Sequence, residues 1–178
     1  MAVVLIVPGL GGSGPHHWQT WWQARESTAE RIEQEDWNEP DLERWSARVG
    51  EYLQRSPEPA WLVAHSFGCL ASVNAGMAEP RRVAGALLVA PADPARFGLA
   101  AALPREPLGF PSILVASAND PWMKFARAAH WSRRWGSRLI NLGRAGHINA
   151  ESGYGPWPRG PALLGKLRGL STPITALS

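Results

Sequence analysis

Cysteine is nearly absent from this chain of 178 residues, which contains only Cys69. A single cysteine cannot form an intramolecular disulfide, so we expect no disulfide framework, and the composition favours a reducing, cytoplasmic compartment. A secretory leader is also not indicated, because the apolar start at residues 2–7 lacks a basic segment before it and is too short. We therefore interpret residues 2–7 as a first β-strand.

The sequence also lacks long apolar runs and long runs of positive charge. No apolar stretch approaches the length of a membrane-spanning helix, so no membrane segment is expected. The net charge is +3, but the arginines are scattered and are densest only at Arg81-Arg82 and Arg133-Arg134. Because nucleic-acid binding usually needs concentrated positive charge, this pattern disfavours a nucleic-acid partner. No His-Glu-x-x-His motif or Cys/His cluster occurs, so we expect no metal site.

What the sequence does contain is typical of a globular protein. Hydrophobic residues make up 45% of it and charged residues 19%. The length predicts a single domain over residues 1–170, followed by a frayed tail at 171–178. The ten tryptophans are unusual in number, and we expect them to pack in the core or to line a pocket.

Strand-like and helix-like segments alternate along the chain. Strands are predicted near 2–7, 30–36, 60–66, 83–91, 111–117 and 137–143, and helices near 16–25, 40–55, 67–78, 121–136 and 160–170. This alternation predicts a three-layer α/β/α sandwich around a parallel sheet of six strands. The long Pro- and Gly-rich connection at 92–110 is predicted to form a lid or a pocket wall.

The segment Ala64-His65-Ser66-Phe67-Gly68 lies where the third predicted strand meets a helix of small residues. It matches the G-x-S-x-G nucleophile elbow, with alanine in the first glycine position. In such an elbow the serine adopts a strained conformation, and the residues two positions away must be small. Ser66 could instead be a helix N-cap, but the buried strand before it favours a nucleophile. The Phe67 N–H, at the start of the helix, is then an expected oxyanion donor.

A serine nucleophile needs a base and an acid that orients it. Asp120 follows the fifth predicted strand and His147 follows the sixth, so both are expected at the carboxyl edge of the sheet, beside Ser66. Asp120 could also cap the next helix, since Pro121 follows it, and Asp93 after the fourth strand is the alternative acid. His65 is predicted to point to the opposite side of its strand.

The glycine-rich loop after the first strand allows two interpretations. Gly9-x-Gly11-x-x-Gly14 matches the dinucleotide fingerprint, with Glu35 or Asp36 as the ribose acid of an NAD(P)-dependent oxidoreductase. That interpretation leaves the serine, aspartate and histidine unexplained.

In the second interpretation the same loop donates the Leu10 N–H to an oxyanion. The loop continues into His17 and Trp18, which we expect to line the substrate pocket.

Two stretches carry a family resemblance. "VPGLGGSGPHHWQTWW" and "GHINAESGYGPWP" resemble the α/β-hydrolase superfamily, and more narrowly the small single-domain serine hydrolases of the retinoblastoma-binding-protein type. The resemblance spans nearly the whole chain and implies a triad of Ser66, Asp120 and His147. It also implies a minimal α/β-hydrolase sheet of order 2-1-3-4-5-6. Ala64 departs from the usual elbow glycine.

The expected function is therefore carboxylesterase-like. The chain is predicted to cleave a small-molecule carboxylic ester, or a small amide, through an acyl-enzyme and without a cofactor. A third class remains open, in which the fold binds a partner protein without turnover.

Overall fold

A computed structural model describes residues 1–171 of the chain as strands and helices in alternation. The strands are β1 (Val4–Val7), β2 (Ala29–Arg31), β3 (Ala60–His65), β4 (Val83–Val89), β5 (Ser112–Ala116) and β6 (Arg138–Asn141). The helices are α1 (Trp18–Gln23), α2 (Leu42–Arg55), α3 (Phe67–Ala78), α4 (Phe125–Trp135) and α5 (Arg159–Ser171). Short 3₁₀ turns lie at Pro80–Arg82, Pro94–Phe97 and Ala150–Ser152.

The strands form one parallel sheet of order β2-β1-β3-β4-β5-β6, which confirms the predicted topology. Both faces of this sheet are covered. Leu5 and Val7 of β1 pack in a cluster with α2, α3 and α4, while Val4 and Ile6 pack in another cluster with α1 and α5. This two-sided burial explains why β1 is continuously apolar rather than alternating in polarity.

Several boundaries differ from the predicted ones. Strand β2 is limited to Ala29–Arg31. At its end the Arg31 guanidinium donates to the carbonyl oxygens of Gly12 and Ser13 in the first loop, which is the connection 8–17 between β1 and α1. Helix α1 begins only after His17, whose side chain accepts a hydrogen bond from a backbone N–H of the first turn. Helix α4 begins at Phe125, four residues later than predicted.

The connection at 92–110 is a packed wall rather than an open lid. Leu103, Leu108 and Phe110 are buried in the core cluster on the α4 side of the sheet. The predicted tail at 171–178 begins inside the last helix, since Ser171 ends α5, and residues 172–178 lie outside the described part of the chain. Within residues 1–171, no helix is both long and apolar enough to cross a bilayer.

Candidate active site

The turn from β3 into α3 has the geometry of a nucleophile elbow. Ser66 has φ +54° and ψ −122°, a strained conformation for a residue with a side chain. A Cβ on Gly68 would lie only 2.4 Å and 2.5 Å from the carbonyl oxygens of Val7 and Pro8, so this position requires glycine. Ala64, in contrast, is fully buried within β3, and its methyl group belongs to the core cluster. The Ser66 side chain makes no capping hydrogen bond to α3, which removes the N-cap interpretation.

Three side chains meet at the carboxyl edge of the sheet. Ser66 Oγ lies 2.9 Å from His147 Nε2. On the other side of the imidazole, His147 Nδ1 lies 3.0 Å from both Oδ1 and Oδ2 of Asp120. With Nδ1–H donating to the carboxylate, Nε2 is left to accept the Ser66 hydroxyl proton. The Asp120 side chain is 2% exposed, so this hydrogen bond is shielded from water.

The two carboxylates that the sequence offered as the acid occupy different places. Asp120 is not a cap for α4, whose N-cap is Lys124. Asp93 caps the 3₁₀ turn Pro94–Phe97 and forms an ion pair of 2.8 Å with Arg127. Burial opposes the charged form of Asp93, but the hydrogen bonds from Arg127 and from a backbone N–H lower its pKa below the usual value. Asp120 is therefore the carboxylate that contacts His147.

The loop that carries His147 is strained and fixed by hydrogen bonds. Gly146 and Ile148, on either side of His147, have positive φ angles of 57° and 49°. Asn119 Oδ1 accepts the Gly146 N–H at 2.9 Å, so the residue before Asp120 connects the acid's loop to the base's loop. The sequence does not identify Asn119 as a site residue, because asparagine is common in turns that follow strands.

Two further side chains donate hydrogen bonds to this loop, and the structure places both of them differently from the prediction. Trp18 is fully buried and donates its indole N–H to the Ile148 carbonyl at 2.9 Å, so it supports the loop and does not line the substrate pocket. His65 does not point away from the site, because its Nε2 lies 2.9 Å from the His147 carbonyl oxygen. Strand alternation fails for His65 because β3 ends there and the chain turns sharply into the elbow.

The first loop lies directly against the elbow. A Cβ on Gly9 would lie 2.8 Å from Ser66 Cβ and 3.3 Å from the Phe67 nitrogen, so only glycine permits this approach. Within residues 1–171, neither the Leu10 N–H nor the Phe67 N–H has a hydrogen-bond acceptor in the protein. Both groups are therefore available to an oxygen beside Ser66.

The cleft above Ser66 divides into two arms. One arm, of about 200 Å³, lies between the first loop and the segment after His147, and polar residues such as Ser13, Asn149 and Glu151 line it. The other, of about 380 Å³, extends towards Phe97 and Trp122.

Comparison with known proteins identifies the family of this chain. The model of a family described as serine hydrolase matches residues 4–166. The chain belongs to the serine hydrolase family. A YdeN-like hydrolase from Pectobacterium atrosepticum has 39% identity and a TM-score of 0.92, over 97% of this chain and 94% of that one. Among curated proteins, none matches the chain.

More distant structures share the fold alone. The ydeN gene product of B. subtilis is 19% identical with a TM-score of 0.77, over 95% of this chain and all 100% of that one. Est1E from Butyrivibrio proteoclasticus, solved with ferulic acid bound, is 11% identical with a TM-score of 0.69, over 96% of this chain and 88% of that one. The resemblance read from the sequence is confirmed at the level of a small α/β-hydrolase-superfamily serine hydrolase.

In this serine hydrolase the glycine-rich loop does not begin a helix. Gly14 precedes the N-cap His17, and α1 starts only at Trp18. A dinucleotide site instead places its pyrophosphate at a helix that starts within the fingerprint. The loop geometry therefore disfavours the oxidoreductase interpretation.

His17 lies in the wall of the smaller arm. Its Nδ1 accepts the Gln19 N–H at 3.2 Å, and no group among the described residues accepts a hydrogen bond from its buried Nε2. Burial, followed by the nearby Arg31 and His147, lowers the pKa of His17 from 6.5 to about 4. His17 is therefore a neutral imidazole at pH 7.

Gln19 is a supporting residue that the sequence did not reveal. Its fully buried amide donates to the carbonyl oxygens of Val7 at 3.2 Å and Val63 at 3.1 Å. Its own carbonyl oxygen accepts the Ser13 hydroxyl at 2.6 Å. Gln19 thus joins the first loop to the two strands beneath Ser66. One glutamine in an amphipathic helix carries no sequence signal for this role.

Proposed function

We propose that this serine hydrolase cleaves carboxylic esters, and small amides more slowly, through an acyl-enzyme formed on Ser66. The observation that carries the proposal is the unbroken hydrogen-bonded chain from Ser66 Oγ through His147 to Asp120, beginning at a strained elbow. Nucleophile, base and orienting acid within hydrogen-bond reach are the requirements for covalent acyl transfer.

The proposed reaction has two halves. Ser66 Oγ attacks the acyl carbon while His147 Nε2 accepts the hydroxyl proton, and the tetrahedral intermediate then collapses. The bond to the leaving alcohol breaks, and His147 returns the proton to that oxygen. A water molecule next attacks the acyl-enzyme with His147 again as base, which releases the acid and restores Ser66. Asp120 keeps Nδ1 protonated and stabilises the imidazolium in each half.

Negative charge develops on the acyl oxygen in the transition state, and hydrogen-bond donors that are already in position stabilise it. The free N–H groups of Leu10 and Phe67 support this role, since the close approach of Gly9 to Ser66 brings the first loop beside the start of α3. Removal of one such donor typically lowers kcat by about 10²–10³-fold. Both groups belong to the backbone, so the role depends on the loop conformation rather than on the Leu10 side chain.

The test compares Ser66 with Ser72, which lies on the helix that follows the elbow. Hydrolysis of p-nitrophenyl acetate is measured for the wild type, Ser66→Ala and Ser72→Ala. Ser72 lies fully buried on α3, and its hydroxyl has no hydrogen-bond partner among the described residues, so it is a matched control. We expect Ser66→Ala to lower kcat by about 10⁴-fold or more and Ser72→Ala to retain wild-type turnover. Turnover that survives in Ser66→Ala would overturn the proposal.

A wider ester panel separates turnover from a binding role. Covalent labelling of Ser66 by a fluorophosphonate without turnover on any ester would favour a partner-binding protein instead.

A further inference from the structure

Exposed large apolar side chains are rare on this surface, and their distribution is uneven. Within residues 1–171 they are Met1, Leu10, Trp122 and Leu170. Met1 begins the chain and Leu170 lies in the last turn of α5. The other two, Leu10 at 41% and Trp122 at 53% exposure, line the same arm of the cleft beside Ser66. Contiguous apolar exposure at a cleft usually marks a surface that a ligand covers.

Trp122 is held in place from both sides. Its backbone N–H donates to Asp120 Oδ1 at 2.9 Å, so its position depends on the same carboxylate that contacts His147. The Arg96 guanidinium lies 5.3 Å from the centroid of the indole ring and donates to the Pro121 carbonyl at 3.1 Å. The indole is therefore a preorganised wall of the cleft.

Apolar and polar side chains share the remainder of this arm. Ala92 and Phe97 line it together with Trp122, and Phe97 packs edge-to-face on Phe67, with ring centroids 5.1 Å apart. Asp93, Arg96, Asn149 and Glu151 also line it. Ser66 and His147 both open into the arm, and the ring centroids of Trp122 and His147 are 6.5 Å apart. A group seated on Trp122 would thus be next to the reacting carbonyl.

The second arm is smaller, at about 200 Å³ against about 380 Å³, and among residues 1–171 no tryptophan or phenylalanine lines it. Ser13 and His17 line this arm alone, whereas Asn149 and Glu151 line both arms. An apolar group there would displace water from polar side chains without replacing their hydrogen bonds, which is unfavourable. The larger arm therefore favours an apolar group on one side of the carbonyl, and the smaller arm favours a small group on the other.

We infer that the substrate is an ester with an aryl or short-to-medium alkyl group on one side of the carbonyl and a small group on the other. Trp122 is the residue that selects the apolar group. At about 380 Å³ the larger arm lies near the lower end of the range for small-molecule pockets, so it fits a ring or a modest chain rather than a long lipid. This inference rests on the proposed ester hydrolysis at Ser66.

The experiment uses two ester series with one common parent, methyl acetate. The acyl series contains the methyl esters of butyric, hexanoic and phenylacetic acid, and the alcohol series contains butyl, hexyl and benzyl acetate. Release of acid is followed by titration at constant pH. Each buried methylene is worth roughly threefold to fourfold in transition-state binding. We therefore expect kcat/KM to rise about tenfold or more from the parent to the largest members of one series, and not of the other.

The variants then assign that rise to one residue. Trp122→Ala should reduce the ratio of kcat/KM between the favoured apolar ester and methyl acetate by about tenfold, and Trp122→Phe should restore most of it. Trp21→Ala is the control, since Trp21 is half-buried on α1, packs under Arg25 and lines neither arm. Circular dichroism checks that each variant is folded.

Two outcomes would overturn the inference while leaving the proposed function intact. One is Ser66-dependent hydrolysis with no preference for apolar groups in either series. The other is a preference that Trp122→Ala leaves unchanged. Absence of Ser66-dependent hydrolysis for every ester would overturn the proposed function, and the substrate class with it.

Discussion

Replacement of His65 by phenylalanine would remove one hydrogen-bond donor from beneath the His147 loop without emptying the space. His65 is 5% exposed, and its ring packs against those of His17 and His147, with centroids 4.7 Å and 4.9 Å away. Burial, followed by the proximity of those two histidines, lowers its pKa well below 6.5. His65 is therefore neutral at pH 7, and Nε2–H donates to the His147 carbonyl oxygen at 2.9 Å.

The magnitude follows from that carbonyl. A buried acceptor that loses its partner typically costs about 1–3 kcal/mol, which corresponds to roughly 5–150-fold in an equilibrium between the correct and displaced loop. The bonds from Trp18 to Ile148 and from Gly146 to Asn119 remain, so the loop stays folded. We expect kcat to fall by about tenfold while KM changes little, because His65 touches the reacting imidazole and not the oxyanion donors.

The assay measures kcat and KM on one ester together with urea unfolding at pH 7. His65→Gln keeps a side-chain N–H and should recover part of the lost kcat. His130→Phe on α4 is the matched control, since that histidine packs on Trp131 away from the cleft. If His65→Phe lowered the free energy of unfolding but left kcat unchanged, the positioning role would be refuted and only a structural role would remain.

Three further predictions concern the elbow, the buried His17 and the acid of the triad. Gly68→Ala would place a Cβ against the backbone oxygens of Val7 and Pro8, so urea unfolding should show a loss of about 2 kcal/mol or more. Gly165→Ala, in open space on α5, should instead stabilise by about 0.5–1 kcal/mol. Because the pKa of His17 is about 4 in the folded protein against 6.5, the unfolded chain binds its proton first as pH falls. The His17 contribution to the free energy of unfolding should then fall by about 3 kcal/mol between pH 6.5 and 4, and the buried His65 adds to the same pH dependence. His17→Asn should reduce the slope by the His17 contribution; an unchanged slope would contradict the burial of a neutral imidazole. Asp120→Asn should lower kcat by about 10⁴-fold through the wrong imidazole tautomer, and Asp93→Asn by far less, so the reverse order would reassign the acid.

The sequence predicted the elbow more closely than any other part of the site. Helix α3 occupies Phe67–Ala78 as expected. The apolar strand, the elbow motif and the run of small residues follow one another directly in the sequence, so no contact with a distant segment is needed to predict them. The sheet order was implied by the resemblance rather than by the strands themselves, and the structure confirms it. The choice between Asp93 and Asp120 was not local, since both follow strands and only the hydrogen bonds across the sheet edge separate them.

The residues that sequence analysis placed wrongly act through contacts between distant segments. Trp18 follows the glycine-rich loop, which predicts a place in the pocket, yet it is fully buried and its partner Ile148 lies 130 positions later in the chain. Strand alternation predicts the wrong side for His65, because the alternation of side chains stops at the last residue of a strand. Gln19 and Asn119 form hydrogen bonds with backbone atoms. Every residue type has these atoms, so the sequence of the partner gives no sign of the contact.

The most direct test of the central claim is to locate the covalent adduct. The protein is treated with a fluorophosphonate, digested and analysed by mass spectrometry, alongside Ser66→Ala and Ser72→Ala. Displacement of fluoride by the activated serine oxygen predicts one adduct, on the peptide that contains Ser66, in the wild type and in Ser72→Ala. Ser66→Ala should carry none. An adduct on another residue, or one that persists in Ser66→Ala, would contradict the assignment of Ser66 as the nucleophile.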